Sequence, residues 1–363
     1  MTAIIRVPCS SANIGPGFDV IGLALSIWLE LRLEIIPTDS FVASYNCLIT
    51  YEGHGAAEVP LQANQNLITQ TALYVLRCHG QRAFPIGTRV HIKNPIPLGR
   101  GLGSSGAAVV AGVALGNEVG KLGLSKARML DYCLMIGNTI RSVLRQRHPD
   151  NVAAALYGGF VGTYLNDLSP EDLSRIEIPV SEVLSPNAGG VDTGIPPPVP
   201  ALNIGHYMKF NWAPELKAVT IIPDFEVPTA AARRVLPSLY SRADVVFNLQ
   251  RTALLPTALG RSPPDAEQIY LAMQDRIHQP YRMELIPGLP QILQDMTPKS
   301  FPGLCGICLS GAGPTILALA TDNFESIADA IMNIFQINGI KCSWRLLEPA
   351  EEGMTVMHSE NNL

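Results

Sequence analysis

No stretch of the chain is apolar for long enough to cross a bilayer, since no window of its 363 residues approaches the roughly 18 apolar positions a membrane helix needs. The start, Met-Thr-Ala-Ile-Ile-Arg-Val, has no charged leader followed by a long apolar core, so a cytoplasmic protein is expected. Lys and Arg never form a run, and a net charge of -5 with an isoelectric point near 5.8 excludes the basic footprint of a nucleic-acid surface. A disulfide framework and a zinc cluster are missing too. The seven cysteines are an odd, dispersed set, and the one C-x-x-C, Cys305-Gly-Ile-Cys308, has neither a second pair nor matching histidines. They read as reduced core thiols.

What is present is core material and one loop. With 47% hydrophobic residues the chain fills one or two domains. The stretch Pro95 to Gly112 reads Pro-Ile-Pro-Leu-Gly-Arg-Gly-Leu-Gly-Ser-Ser-Gly-Ala-Ala-Val-Val-Ala-Gly, after an extended segment from Thr88 to Lys93 and before an apolar run through Leu115. This predicts a strand, a phosphate loop and a buried helix. Gly99, Gly101, Gly103 and Gly106 permit positive φ and close backbone approach, while Ser104 and Ser105 sit where the first amides of a helix point outward. Gly101, Gly103 and Gly106 also satisfy G-x-G-x-x-G, but no acidic residue follows about 20 positions later, and a Walker loop's Gly-Lys-Ser/Thr is absent. A glycine-rich turn before a core helix would account for the glycines but not for the paired serines.

Taken in order, residues 4 to 8 predict a short strand ending in a polar turn, Cys9 to Asp19. Leu29 to Ile35 alternates as a strand with one wet face, and a helix opens at Asn66 and runs to Leu76. A second helix runs from Ser125 through Met135 until Gly137 interrupts it, and a Gly-rich strand covers Gly158 to Tyr164. Ser185 to Leu202 holds too much proline for regular structure and reads as a connector, dividing the chain into residues 1–185, 186–214 and 215–363. Beyond it the patterns predict a strand at Ala218 to Ile222 and helices at Thr229 to Leu236, Asp244 to Leu259 and Asp265 to Ile277. Strands from Gly306 and over Thr315 to Ala320, a helix over Asn323 to Ile337 and a strand over Lys341 to Leu347 follow. The class expected is α+β with two lobes.

Three motifs now stand in sequence: Pro8-Cys-Ser-Ser-Ala-Asn-Ile-Gly-Pro-Gly-Phe-Asp19, the loop from Pro97 to Ala108, and Leu309-Ser-Gly-Ala-Gly-Pro-Thr315. Together they resemble the three motifs of the GHMP kinase superfamily. Arg147-His148-Pro149-Asp150-Asn151, Thr229-Ala230 with Arg233 and Leu236-Pro237, and His278-Gln279-Pro280-Tyr281-Arg282 extend the resemblance over nearly the whole chain to the fungal homoserine kinase branch. The resemblance implies a ribosomal-S5-domain-2-like lobe joined to a ferredoxin-like lobe, with the site between them. It implies ATP-dependent phosphorylation of the side-chain hydroxyl of L-homoserine with Mg2+, and a homodimer. Two other readings are kept: a superfamily kinase for another small alcohol, and a catalytically weak or inactive metabolite-binding relative.

An amino-acid substrate calls for a cationic fork, an acidic partner and a positioned acceptor. Arg233 and Arg282 are candidates for the carboxylate, unlike neighbouring Arg234, because guanidinium binds carboxylate bidentately. Asp19 or Asp150 is expected to hold the ammonium, with Asn13 and His148 orienting the rest and the Gly311 turn shaping the substrate side. Asp150 is expected to act as base or as orienter of the hydroxyl. On the nucleotide side, Pro97, Gly99, Arg100, Gly101, Leu102, Gly103, Ser104, Ser105, Gly106 and Ala107 are expected to bind ATP, with the amides of the Gly99–Gly106 loop cradling its phosphates. Ser105, with Ser104 second, touches magnesium, and Asn66 and Lys93 meet the adenine end. In the resembling enzymes a glutamate that ligates magnesium stands just before Arg-His-Pro-Asp-Asn. Here that position is Gln146, closing a ten-residue segment from Gly137 without an acid, and a neutral amide is the weaker ligand for a hard dication.

Overall fold

The computed structural model describes residues 2–36, 42–140, 148–169, 194 and 196–358. Two sheets organise them. In the first, β1 (Thr2–Ala12), β2 (Ile21–Ile35), β4 (Thr88–Asn94) and β3 (Cys47–Gly53) lie side by side, β3 and β4 parallel and the rest antiparallel. The start of β2 also pairs with β5 (Phe160–Leu165), which carries β6 (Gly205–Phe210). In β2, Leu29, Leu31 and Leu33 are buried while Arg32 and Glu34 face water, as the alternation predicts.

Against this sheet pack α1 (Leu67–Cys78), α2 (Ser104–Gly120), α3 (Lys126–Ile140) and α4 (Pro149–Tyr157). Helix α2 is apolar on nearly every side because it is buried on nearly every side, from Ala107 to Val119. Helix α3 runs through Gly137 to Ile140, so glycine does not stop it as expected; a single glycine costs a helix only roughly 1 kcal/mol. Most of the Gly137–Gln146 segment, including Gln146, lies outside the described residues, as do residues 186–193 and 195 of the connector, whose later part carries β6.

The second sheet has the order β10 (Cys342–Leu347), β7 (Lys217–Pro223), β9 (Ile316–Ala320), β8 (Leu304–Leu309), all antiparallel. With helices between β7 and β8, and α10 (Phe324–Ile337) between β9 and β10, this is the β-α-β-β-α-β ferredoxin-like arrangement. The helices between β7 and β8 are α5 (Thr229–Arg234), α6 (Arg242–Gly260), α7 (Ala266–Ala272), α8 (Gln279–Arg282) and α9 (Leu289–Asp295). Its apolar residues form their own core, Val219, Ile221, Ile307, Ile316 and Phe335 among them.

Three differences from the sequence reading bear on the site. Strand β1 runs to Ala12, so Ser10 and Ser11 are strand residues and not part of a turn; its pairing with β2 shifts register between Pro8 and Cys9, a bulge beside the residue that has no N–H. Helix α7 stops at Ala272, where Ile277 was expected, because the Asp275 carboxylate takes the backbone N–H groups of Ile277, His278 and Gln279. Finally β11 (Thr355–His358), absent from the expectations, pairs with the edge of β1 in the first sheet.

Candidate active site

The glycine loop adopts the backbone that its composition predicts. Gly99, Gly101 and Gly103 have φ of 65°, 83° and 67°. A Cβ on Gly101 would collide with the carbonyl oxygen of Ser310, and one on Gly103 with the hydroxyl of Ser10. The glycines are therefore demanded by the other two motifs, which press on the loop from both sides.

Hydrogen bonds stitch the three motifs together. Ser10 N–H donates to Leu102 O at 3.2 Å and the Ser10 hydroxyl to Asn151 Oδ1 at 3.1 Å. Ser310 donates its hydroxyl proton to Gly101 O at 2.7 Å, which leaves its oxygen to accept from Ser11 at 2.8 Å. Gly311 N–H reaches Ala12 O at 2.9 Å, and Thr315 N–H reaches Arg100 O at 3.2 Å. The Arg100 side chain meets Asp224 Oδ1 at 2.9 Å, tying the loop to the end of β7. Ser10, Ser11 and Ser310 were missed as functional candidates, although small hydroxyl residues beside a glycine loop are what such close backbone contact requires.

At the head of α2, Ser104, Ser105 and Gly106 precede the first intrahelical bond, Ala107 N–H to Gly103 O at 2.9 Å. Leu102 and Ala107 are buried anchors, whereas Ser105 and Gly106 are half-buried. The Ser104 hydroxyl turns back toward Asn94, with 3.5 Å to its Nδ2. This geometry offers amides at the head of α2 to a polyphosphate. Asn66 and Lys93 are not drawn into the cluster. Asn66 caps α1, accepting from Ile68 N–H at 3.1 Å, and exposed Lys93 stands 3.5 Å from Glu52.

Across the loop lie the charged residues. Asn13 and Asp19 both take the left-handed backbone, with φ of 57° and 55°, and Asn13 Oδ1 accepts Asp19 N–H at 2.9 Å. Asn13 also donates through Nδ2 to Gly311 O at 3.0 Å. His148 precedes α4 with φ of 36°, Pro149 opens the helix and Asp150 sits in its first turn, accepting Asn151 N–H at 2.9 Å and Asn13 N–H at 3.3 Å. Arg233 Nη2 donates to Asp19 Oδ1 at 2.7 Å and to His148 Nδ1 at 3.1 Å, so that ring nitrogen is an acceptor. Arg234 faces solvent, as expected.

Burial and the charge of Asp19 push the Asp150 carboxyl from 3.8 up to about 7, despite two N–H donors and Arg233. Arg282 is 2% exposed; burial and then Arg233 bring its guanidinium down to about 10, still charged at neutral pH. The Phe18 ring lies 5.5 Å from the Arg233 guanidinium and 5.2 Å from that of Arg282, so both cations lie over the same aromatic ring. The site thus gathers Asn13, Asp19, His148, Asp150, Arg233, Arg282 and Gly311 as the sequence suggests.

Asp19, His148 and Asp150 offer ligand atoms within 4.8 Å of one another, yet Arg233 already supplies the cation there. Magnesium prefers oxygen ligands such as phosphates and water, and the amides at the head of α2 that precede the first intrahelical bond are placed to hold phosphates.

Residues 66–159 match the family model for the GHMP kinases N-terminal domain. Over 357 residues the chain is 58% identical to homoserine kinase of Saccharomyces cerevisiae, covering 97% of this chain and 98% of that one. It is 53% identical to homoserine kinase of Candida albicans over 357 residues, 97% of either chain. A crystal structure of homoserine kinase from Cytophaga hutchinsonii superposes with a TM-score of 0.72 at 25% identity, covering 98% of this chain and 97% of that one.

Proposed function

Because the chain belongs to the homoserine kinase family of the GHMP kinases, we propose that its site transfers the terminal phosphoryl group of ATP to the side-chain hydroxyl of L-homoserine. The hydroxyl oxygen forms the new bond to phosphorus, the bond from that phosphorus to ADP breaks, and the hydroxyl proton leaves. The products are O-phospho-L-homoserine and ADP. The observation that carries this reading is the direct stitching of the glycine loop, through Ser10, Ser11 and Ser310, to a pocket holding two arginines and two aspartates.

Each residue then has a task that its chemistry suits. Loop amides from Gly99 to Ala107 cradle the phosphates, which is most of what phosphoryl transfer asks of a protein. Magnesium, held in part by Ser105, neutralises phosphate charge when bound. Arg233 and Arg282 take the substrate carboxylate, and Asp19 takes the ammonium with His148 beside it. Asp150 receives or orients the hydroxyl proton, and a carboxyl near neutrality suits an acceptor that must pick up a proton and release it again. Asn13 fixes Asp19 against the Gly311 turn.

The resemblance extends the reading to a cytoplasmic homodimer, which sedimentation would check. The reaction itself is tested by incubating the protein with ATP, magnesium and L-homoserine and recording phosphorus NMR spectra. Growth of a phosphomonoester resonance as the terminal phosphate of ATP disappears is expected. Free phosphate in its place would overturn the assignment.

A further inference from the structure

His278 lies outside the set of residues expected to meet the substrate, yet it is fully buried beside it. Its two ring nitrogens have opposite duties. Nε2 stands 2.8 Å from Gly15 O, and a carbonyl only accepts, so Nε2 carries the proton. Nδ1 stands 3.2 Å from Arg282 Nη1, and a guanidinium only donates, so Nδ1 is a bare acceptor. The ring is therefore the neutral imidazole, and burial holds its basicity down in agreement.

Arg282 is oriented from three directions. Nε donates to Ala232 O at 3.2 Å, on the helix that carries Arg233. Nη1 uses its two hydrogens on Gly311 O at 2.9 Å and on His278 Nδ1. Three of the five N–H groups are thereby fixed, and both hydrogens of Nη2 lie outside these bonds. Two of the three acceptors are main-chain carbonyls that any fold could provide. The third is a side chain whose backbone is itself pinned, since Asp275 accepts His278 N–H at 3.0 Å, Gln279 N–H at 2.7 Å, Ile277 N–H at 3.0 Å and Asn248 Nδ2 at 2.7 Å. Burial opposes the charge of Asp275, which these four N–H donors stabilise.

We propose that His278, pinned by Asp275, is a positioning residue that turns the Arg282 guanidinium so that its Nη2 hydrogens meet the substrate carboxylate. The inference rests on the reading of the site as one for an amino acid. It makes His278 a determinant of the preference for a carboxylate over an uncharged group, without contact with the substrate.

The test uses the intact protein with ADP and compares calorimetric Kd values for L-homoserine and L-homoserinol, which has an alcohol in place of the carboxylate. His278→Asn places an amide oxygen where Nδ1 was and keeps the acceptor for Arg282. His278→Gln reaches the Nε2 position and drops that acceptor while filling more of the space. Positioning predicts that His278→Asn keeps the wild-type preference for homoserine within about threefold, and that His278→Gln cuts it by about tenfold or more. A merely structural role predicts the reverse order, because the smaller side chain leaves the larger void. That order, or an unchanged preference in both variants, would overturn the positioning role alone. Absence of homoserine binding to the wild type would overturn the site reading and the positioning role together.

Discussion

Replacing Asp150 by asparagine should separate stability from activity in a pH-dependent way. The folded protein holds the Asp150 proton up to about 7, whereas the ordinary value is 3.8. A folded-state value raised above the unfolded one means that the native state keeps a proton the unfolded chain has released. Wild-type stability contributed by this group is therefore present below about pH 4 and is lost as the pH rises to about 7. Between about pH 5 and about pH 8 the loss integrates to about 3 kcal/mol. Asparagine does not titrate. It gives up one acceptor for the N–H of Asn13 or Asn151, at a cost of about 1–3 kcal/mol, but that cost is the same at every pH. The quantity to measure is the change with pH in the Tm difference between variant and wild type. With an unfolding entropy of about 2 cal/mol/K for each of 363 residues, about 3 kcal/mol becomes about 4 °C in favour of the variant as the pH is raised. Differential scanning fluorimetry over that range reads it directly, and kcat/KM for homoserine should fall about a hundredfold or more in the same variant. A Tm difference that stays constant with pH would refute the claim that Asp150 is held protonated.

Three further outcomes are expected. Ser105→Ala should raise the KM for magnesium ATP about tenfold, while Ser104→Ala, whose hydroxyl faces Asn94, should act on Tm; the opposite pattern in steady-state kinetics would exchange their roles. Arg233→Met should lower kcat/KM for homoserine about a hundredfold with the KM for ATP unchanged, and the same change at exposed Arg234 should leave both within about twofold. Replacing Gly137–Gln146 by a single glutamate should lower the magnesium concentration for half-maximal rate about tenfold, and an unchanged magnesium titration would show that the segment does not bear on the metal.

Much of the site was legible because its chemistry demands rare residues. A loop that must bring its backbone against two others can be built only with glycine at Gly101 and Gly103, and a buried carboxylate site needs arginine. What was not legible depends on partners distant in sequence. Ser10 and Ser11 read as a turn because serine carries no strand signal, and only the pairing with β2 and the contact of Ser11 with Ser310 make them strand and site residues. Helix α7 looked longer because periodicity cannot register one carboxylate, Asp275, capturing three N–H groups. Strand β11 is four residues long and pairs with the opposite end of the chain. The arginine of the His278-Gln279-Pro280-Tyr281-Arg282 segment was legible; the histidine that aims it was not, since its role appears only when both ring nitrogens are assigned by their neighbours.

The central claim is that one site joins a phosphate loop to an amino-acid pocket. It is tested most directly by ADP release from the purified protein with ATP and magnesium, in the presence of L-homoserine, mevalonate, galactose or serine, and with no acceptor. The account predicts release above the no-acceptor rate with L-homoserine and with no other compound of the panel. Release driven by mevalonate or galactose, or homoserine binding with no ADP formed, would contradict it.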